Sequence, residues 1–229
     1  LGAQWKQKFR VQSGARKGAA FSRLAKEIVM AAKSGVPDPA SNARLRAALE
    51  NARKNSMPRD TIERALKKGR GEIDADVVYE TVTYEGYAPH QVPIIVECLT
   101  ENRNRTASDI RVLFRKGQLG TSVTWLFDRR GIVEATHPSG ADPEEAAIEA
   151  GAQDVRPGDE TTEFVCDPGD LDGVHRALQG LGWQVSRAAL GWVPKSLVEL
   201  GEEAQAEVSA FLLGFDENDD VHQIYVGVA

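Results

Sequence analysis

The sequence predicts an α+β protein: a basic three-helix bundle followed by two small antiparallel-sheet α+β domains. Three observations carry that prediction. Residues 19–70 contain three apolar stripes at helical spacing, parted by turns marked with Pro and Gly. From residue 78 onward, short β-branched runs alternate with single amphipathic stretches, a pattern of sheets with helices on one face. Charge divides at the same place. Residues 1–72 hold 17 Lys and Arg against 6 Asp and Glu, a balance of +11, whereas residues 73–229 hold 11 against 28, a balance of −17. The overall charge of −6 conceals this split, which points to a module for a polyanion beside one that repels it.

The helices follow from local chemistry. Phe21, Leu24, Ile28 and Ala31/Ala32 set the first over 19–33, with Gly35 as its stop. Pro37-Asp38-Pro39 turns the chain, and Ser41 or Asn42 caps a second helix whose Leu45, Ala48, Leu49 and Ala52 face inward. Pro58 suits the first position of the third helix, Asp60 and Glu63 favour its positive end, and Ile62, Ala65 and Leu66 point in before Lys67-Lys68-Gly69 closes it. The outer face carries Arg44, Arg53, Lys54, Arg59, Arg64, Lys67, Lys68 and Arg70. Ahead of the bundle, Gln4 to Lys17 is an arm in which Lys6, Lys8, Arg10, Arg16 and Lys17 interleave with Trp5 and Phe9, without an acid. Cations reach phosphates and exposed rings can stack on bases, so arm and bundle together form the expected nucleic-acid surface. Trp5 serves equally well packed onto the helices. The joint KNSMPRD is short enough for a helix-turn-helix, yet Pro58, Arg59 and Asp60 offer little for reading base edges. The basic residues read as phosphate contacts, which position without specifying.

Residues 72–77 form a linker, and Val78–Tyr84 alternates as a strand. Val92–Leu99 is almost wholly apolar, a strand buried on both faces. Thr100–Thr106 is a polar turn, with Asn104 or Thr106 as cap of a helix that buries Ile110, Leu113 and Phe114. Leu119–Phe127 reads as a further strand, with Asp128–Gly131 turning tightly into Ile132-Val133. Beyond Thr136 come an acidic helix from Asp142 stopped by Gly151, a strand at 163–166, a helix over 168–181 and a strand over 183–193. A helix over 202–213 and a strand over 221–228 close the chain.

Several blocks carry a resemblance: TYEGYAP (83–89), IIVECLTENRNRT (94–106), WLFDRRG (125–131), the long run NARLRAALENARKNSMPRDTIERALKKG (42–69) and VPKSLVEL (193–200). In this order they resemble the signature blocks of the YebC/PmpR family of small bacterial regulators, which includes mitochondrial translational activators. The resemblance spans nearly the whole chain. It implies a layout of arm (1–17), helical bundle (18–72), middle α+β domain (73–135 with 197–229) and a last α+β domain (136–196) inserted into the middle one. The sequence departs from the family pattern at its start, where only Trp5-Lys6 remains of a His-Ser-Lys-Trp block, and near Gly120-Thr121-Ser122, where the loop is short.

No catalytic constellation emerges. His90, His137, His175 and His222 stand at no metal-ligand spacing. Asp216, Asn218 and Asp220 imitate the start of a calcium loop, but Val221 occupies the position that needs Gly, so the run reads as a solvated turn. Cys98 and Cys166 lie in strand-like runs and read as buried thiols in a reducing compartment. The most site-like polar cluster is Asn102, Arg103 and Arg105, which suits either an anion at a helix start or capping and ion pairing at a domain junction.

Composition is that of a soluble globular protein, 41% hydrophobic and 27% charged, without an apolar run long enough for a membrane helix or a signal peptide. The expectation is a cytoplasmic, non-enzymatic, nucleic-acid-binding regulator of gene expression that needs no cofactor or metal. The family resemblance implies a DNA-binding transcriptional regulator. A ribosome- or RNA-associated translation factor is the alternative, and an acidic protein-interaction scaffold the third class.

Overall fold

The computed structural model describes residues 14–137, 140–158 and 161–229. Helix α1 spans Gly14–Lys33, α2 Ala43–Lys54 and α3 Arg59–Gly69. The first begins ahead of its apolar stripe, because Ala15, Arg16 and Lys17 are good helix formers. Leu24, Ile28, Val29, Leu45, Leu49, Met57 and Ile62 form the bundle core, with Ala31, Ala32, Ala48, Ala52 and Ala65 letting the backbones approach. Gly69 completes that approach: a Cβ there would stand 2.5 Å from the Cβ of Ala32. Asn42 is the cap of α2, accepting from Leu45 N at 3.0 Å while its Nδ2 donates to Ala31 O and Val36 O. One side chain thus both starts α2 and ties the turn before it. Pro58 sits one residue outside α3 as its N-cap, not at the first helical position.

The described residues fall into two compact units, 14–123 with 199–224 and 228–229, and 124–198 with 225–227. In the first, β1 (Glu80–Ala88) and β2 (Val92–Thr100) pair antiparallel from Glu80↔Thr100 to Ala88↔Val92. A 3-10 turn joins them, with His90 and Gln91 at positive φ. Residues Ile94, Ile95 and Val96 are fully buried, as the apolar run predicts. After β2 come α4 (Arg103–Leu113) and the two-residue β3 (Gln118–Leu119). Helix α7 (Glu202–Asp216) and β8 (Val221–Val226) return late in the chain, giving a four-stranded sheet in the order β3-β1-β2-β8. Phe114, Phe211 and Phe215 meet ring to ring at 5.1–5.7 Å, closing the layer of α4 and α7.

Gly86 explains why the TYEGYAP block needs its glycine. A Cβ on Gly86 would stand 2.0 Å from Gln118 O and 3.2 Å from Leu119 Cα, where β3 pairs with Gly86 and Tyr87. Gly86→Ala is therefore expected to expel β3 from the sheet and lower stability by about 1–3 kcal/mol. Urea unfolding would register this, with faster amide exchange at Leu119, and an unshifted midpoint would refute it.

The second unit holds β4 (Phe127–Thr136), α5 (Pro143–Ala150), β5 (Asp154–Pro157), β6 (Thr162–Cys166), α6 (Leu171–Gly180) and β7 (Gln184–Pro194). The strands form a second sheet in the order β5-β6-β4-β7. Val133, Ala135, Phe164, Cys166, Trp183, Val174 and Leu178 make its core against the two helices. Asp142 caps α5 and Gly151, at φ 77°, ends it.

Two local expectations fail here. The run 119–127 is not a strand: β3 stops at Leu119, Gly120 adopts φ 87°, and the Glu85 carboxylate accepts from Val123 N at 2.9 Å, holding a loop. Nor do residues 128–131 turn. They continue one strand that pairs with β7 from Phe127↔Pro194 to Thr136↔Gln184, with a bulge at Glu134/Ala135. Gly131 is used for close packing, since a Cβ there would stand 2.6 Å from Cys166 Sγ. The second sheet accordingly starts at Phe127. Strand β5 has no counterpart in the sequence pattern; four residues ending in Pro make a weak signal, tolerated at the edge of a sheet.

Candidate nucleic-acid interface

Arg44, Arg53, Lys54, Arg59 and Arg64 are exposed on α2 and α3, and among the described residues none of the five has a carboxylate partner. Their presentation follows from the helical repeat: Leu45, Ala48, Leu49 and Ala52 face the core, which turns the intervening charges to solvent. Arg53, Arg59 and Glu63 line one pocket together with Met57, Ile62 and Leu66. Lys67 is exposed and loosely paired to Glu63 at 3.7 Å, and Arg70 to Glu72 at 3.8 Å. Pairs so exposed leave both cations open to exchange partners.

Lys68 is different. Only a fifth of its side chain is exposed; its ammonium lies 3.7 Å from Asp74, 3.8 Å from Glu101 and 5.5 Å from the centre of the Tyr79 ring. Burial opposes its charge, but Tyr79, Glu101 and Asp74 outweigh that and hold its pKa above the ordinary value. Its charge is engaged within the protein. Arg16 and Lys17 lie in the first turn of α1, and Lys6, Lys8 and Arg10 lie outside the described residues.

The cluster Asn102, Arg103 and Arg105 resolves into separate tasks. Asn102, not Asn104 or Thr106, caps α4 by accepting from Arg105 N at 3.0 Å. Arg103 lies 3.6 Å from Glu80. The Arg105 guanidinium donates to both carboxylate oxygens of Asp220, at 3.1 and 3.0 Å. Asp220 also accepts from Lys26 Nζ at 2.6 Å and Thr106 Oγ1 at 2.8 Å, and is itself almost completely buried. The Lys26 ammonium, also buried, donates further to Leu99 O and Asp219 O. The run 216–220 is thus more than a solvated turn: Glu217 and Asp219 are exposed, but Asp216 binds Arg23, and Asp220 is the hub joining α1 of the bundle to the start of α4. Burial alone would raise the Asp220 pKa, yet the donors from Lys26, Thr106 and Arg105 hold it below the usual carboxylate value. No periodic pattern could have revealed this hub, because Lys26 and Asp220 are 194 residues apart.

Both cysteines are free and buried. Burial, with a smaller push from Asp220, raises the Cys98 thiol to about 12, and burial likewise raises Cys166. Neither is an accessible nucleophile at neutral pH. Among the described residues, no group of three or more His, Cys, Asp or Glu side chains is arranged to hold a metal ion. No helix among them is long and apolar enough to cross a membrane.

Fold and charge together define an α+β protein in which a basic helical module is fastened to an antiparallel sheet and followed by a second, acidic sheet unit. A crystal structure of a conserved hypothetical protein from Aquifex aeolicus has the same fold, with a TM-score of 0.82 and 41% identity over 94% of this chain and 91% of that one. The chain belongs to the TACO1/YebC family: residues 4–72 match the model of the TACO1/YebC protein N-terminal domain, and residues 79–228 that of the TACO1/YebC second and third domain. A relative in Pseudomonas fluorescens, 54% identical over the full length of both chains, is named a probable transcriptional regulatory protein. So is a relative in Polaromonas, 53% identical over the full length of both.

Proposed function

We propose that this protein is a cytoplasmic, nucleic-acid-binding regulator of gene expression that works without a catalytic step or cofactor, acting first as a DNA-binding regulator of transcription. The observation that carries this reading is the set of exposed cations on α2 and α3, unpaired among the described residues, in a chain that is otherwise acidic. These side chains grip backbone phosphates, and the basic residues Lys6, Lys8, Arg10, Arg16 and Lys17 extend the same grip. Lys67 and Arg70 join by exchanging their exposed carboxylate partners for phosphate. The names of the relatives support the transcriptional assignment. The test is duplex-DNA binding at ~50 to ~200 mM salt: with four to six phosphates contacted, log K should fall with log salt at a slope of about −4 to −5. Failure to bind duplex DNA at the lower salt would end the transcriptional reading.

A second reading, support of translation on the ribosome, is favoured by one observation. Helix α3 is capped by Pro58 and opens with Arg59-Asp60, so of its entry residues only Arg59 suits a base edge. Salt-sensitive co-sedimentation with ribosomes, in a protein that ignores duplex DNA, would select it.

A further inference from the structure

The bundle does not account for every cluster of cations. Residues 73–229 hold 11 Lys and Arg against 28 Asp and Glu, yet five of the 11 fall within residues 103–116, where Asp109 is the only acid. Two of the five are engaged: Arg105 by Asp220 and, more loosely, Arg103 by Glu80. The other three, Arg111, Arg115 and Lys116, are exposed, and among the described residues none of them has a carboxylate partner. The helical repeat gathers them. Thr106, Ile110 and Phe114 turn inward, while Asn104, Ser108, Arg111 and Arg115 follow one another along the exposed face. Lys116 ends the series in the 3-10 turn 114–116. That turn is anchored. Phe114 is buried against Phe211 and Phe215, Gly117 N donates to Phe114 O at 2.8 Å, and a Cβ on Gly117 would stand 2.4 Å from Tyr87 O of β1. Cations near a helix C-terminus offset its dipole, which accounts for Arg111 in the last turn of α4. Arg115 and Lys116 lie past Leu113, the last residue of that helix. No Asp or Glu stands three or four residues from any of the three. Arg111 and Arg115, four residues apart, are instead a like-charge pair, which costs stability until an anion comes between them.

We infer that the outer face of α4 and the turn after it, with Arg111, Arg115 and Lys116, is a second phosphate-binding track for nucleic acid, in addition to the face of the bundle. The two guanidinium forks suit phosphate oxygens, Lys116 adds a point charge, and the Asn104 amide adds a neutral donor on the same face. Contacts of this kind hold a backbone in place and carry no sequence information. An acidic protein segment would meet the same charges. Val112, however, is the one large apolar side chain exposed in this stretch, too little for the apolar centre of a protein interface. The concentration of unpaired cations in an otherwise acidic part of the chain therefore favours a polyanion whose charge lies on its surface.

The track rests on the nucleic-acid reading, and its failure is distinguishable from failure of that reading. Full-length protein is titrated with duplex DNA and with an RNA hairpin across a salt series. Combining Arg111→Gln, Arg115→Gln and Lys116→Gln is expected to weaken binding at least tenfold at ~100 mM salt and to flatten the salt slope by about 2–3, one phosphate per cation. Arg111→Lys with Arg115→Lys, which keeps the charges, should keep the slope. Because all three positions are exposed, thermal unfolding of the Gln variant should match the parent protein. A local readout accompanies the titration: acetylation of Lys116, followed by mass spectrometry, should slow when nucleic acid is bound. The reference is Lys195, whose side chain is half exposed in the second unit and whose reactivity should not change. If the Gln variant keeps both affinity and slope while a charge-reversed bundle loses them, the track is wrong and the bundle reading stands. If the parent binds neither nucleic acid, both readings fall. Weaker binding with Lys116 still fully reactive would put the phosphates elsewhere and overturn the track. Equal protection of Lys116 and Lys195 would show general shielding and overturn it as well.

Discussion

Replacing Asp220 with alanine is expected to cost about 3–5 kcal/mol of unfolding free energy, the largest effect of any single substitution in the first unit. Asp220 is 4% exposed and its carboxylate receives four hydrogen bonds, one each from Lys26 Nζ and Thr106 Oγ1 and two from Arg105 Nη2, which reaches both oxygens. Without it the buried Lys26 ammonium keeps only two backbone carbonyls, those of Leu99 and Asp219, and a charge remains in a site built for a pair. Lys26→Met should cost less, about 1–3 kcal/mol, because Asp220 keeps Arg105 and Thr106. Urea titrations of the two variants check the order, and Lys26→Met proving the more damaging would refute the hub as described.

The same group makes an acid-dependent contribution. Its folded pKa lies below the ordinary carboxylate value, so the stabilisation is fully present above the unfolded pKa of about 3.9 and is lost as pH falls through the folded one. In Asp220→Ala that portion of the acid sensitivity should vanish. The hub ties α1 of the bundle to the end of β2 and the start of β8.

The second large effect concerns binding. Reversing Arg44, Arg53, Arg59 and Arg64 to Glu together should weaken duplex binding at least a hundredfold and flatten the salt slope by about 3–4. Each position is exposed and outside any ion pair among the described residues, so stability should change by only about 0.5 kcal/mol per site. Lys68 is left out of this set because Asp74, Glu101 and Tyr79 already hold it; reversing it would disturb folding and binding at once. Filter binding across a salt series measures both quantities. Unchanged affinity and slope would remove the bundle face from the interface. Loss of ribosome co-sedimentation in the same variant, with no duplex binding in the parent, would transfer the face to the translational reading.

Much of the architecture is legible in the chain. The three bundle helices, the buried strand 92–99, the capped helix at 142–151 and the charge division all follow from spacing, caps and composition, which act over a few residues. The departures have local causes too. Val123, Trp125 and Leu126 spell an apolar run, yet Glu85 and the conformation of Gly120 hold Val123 in a loop, and Thr124–Leu126 coil into a 3-10 turn. Asp128-Arg129-Arg130-Gly131 spells a turn, yet pairing along all of β7 keeps it extended.

What the sequence by itself determined is where helices and strands form and where positive charge accumulates, because backbone preference and burial period are written in neighbouring residues. The tertiary structure alone decided which charges are available. It buried Lys26 against Asp220, drew Lys68 inward, gave Arg105 to a carboxylate and left Trp125 exposed. An ion pair between residues 26 and 220 leaves no local trace, since the energy that forms it comes from groups the chain brings together only when folded.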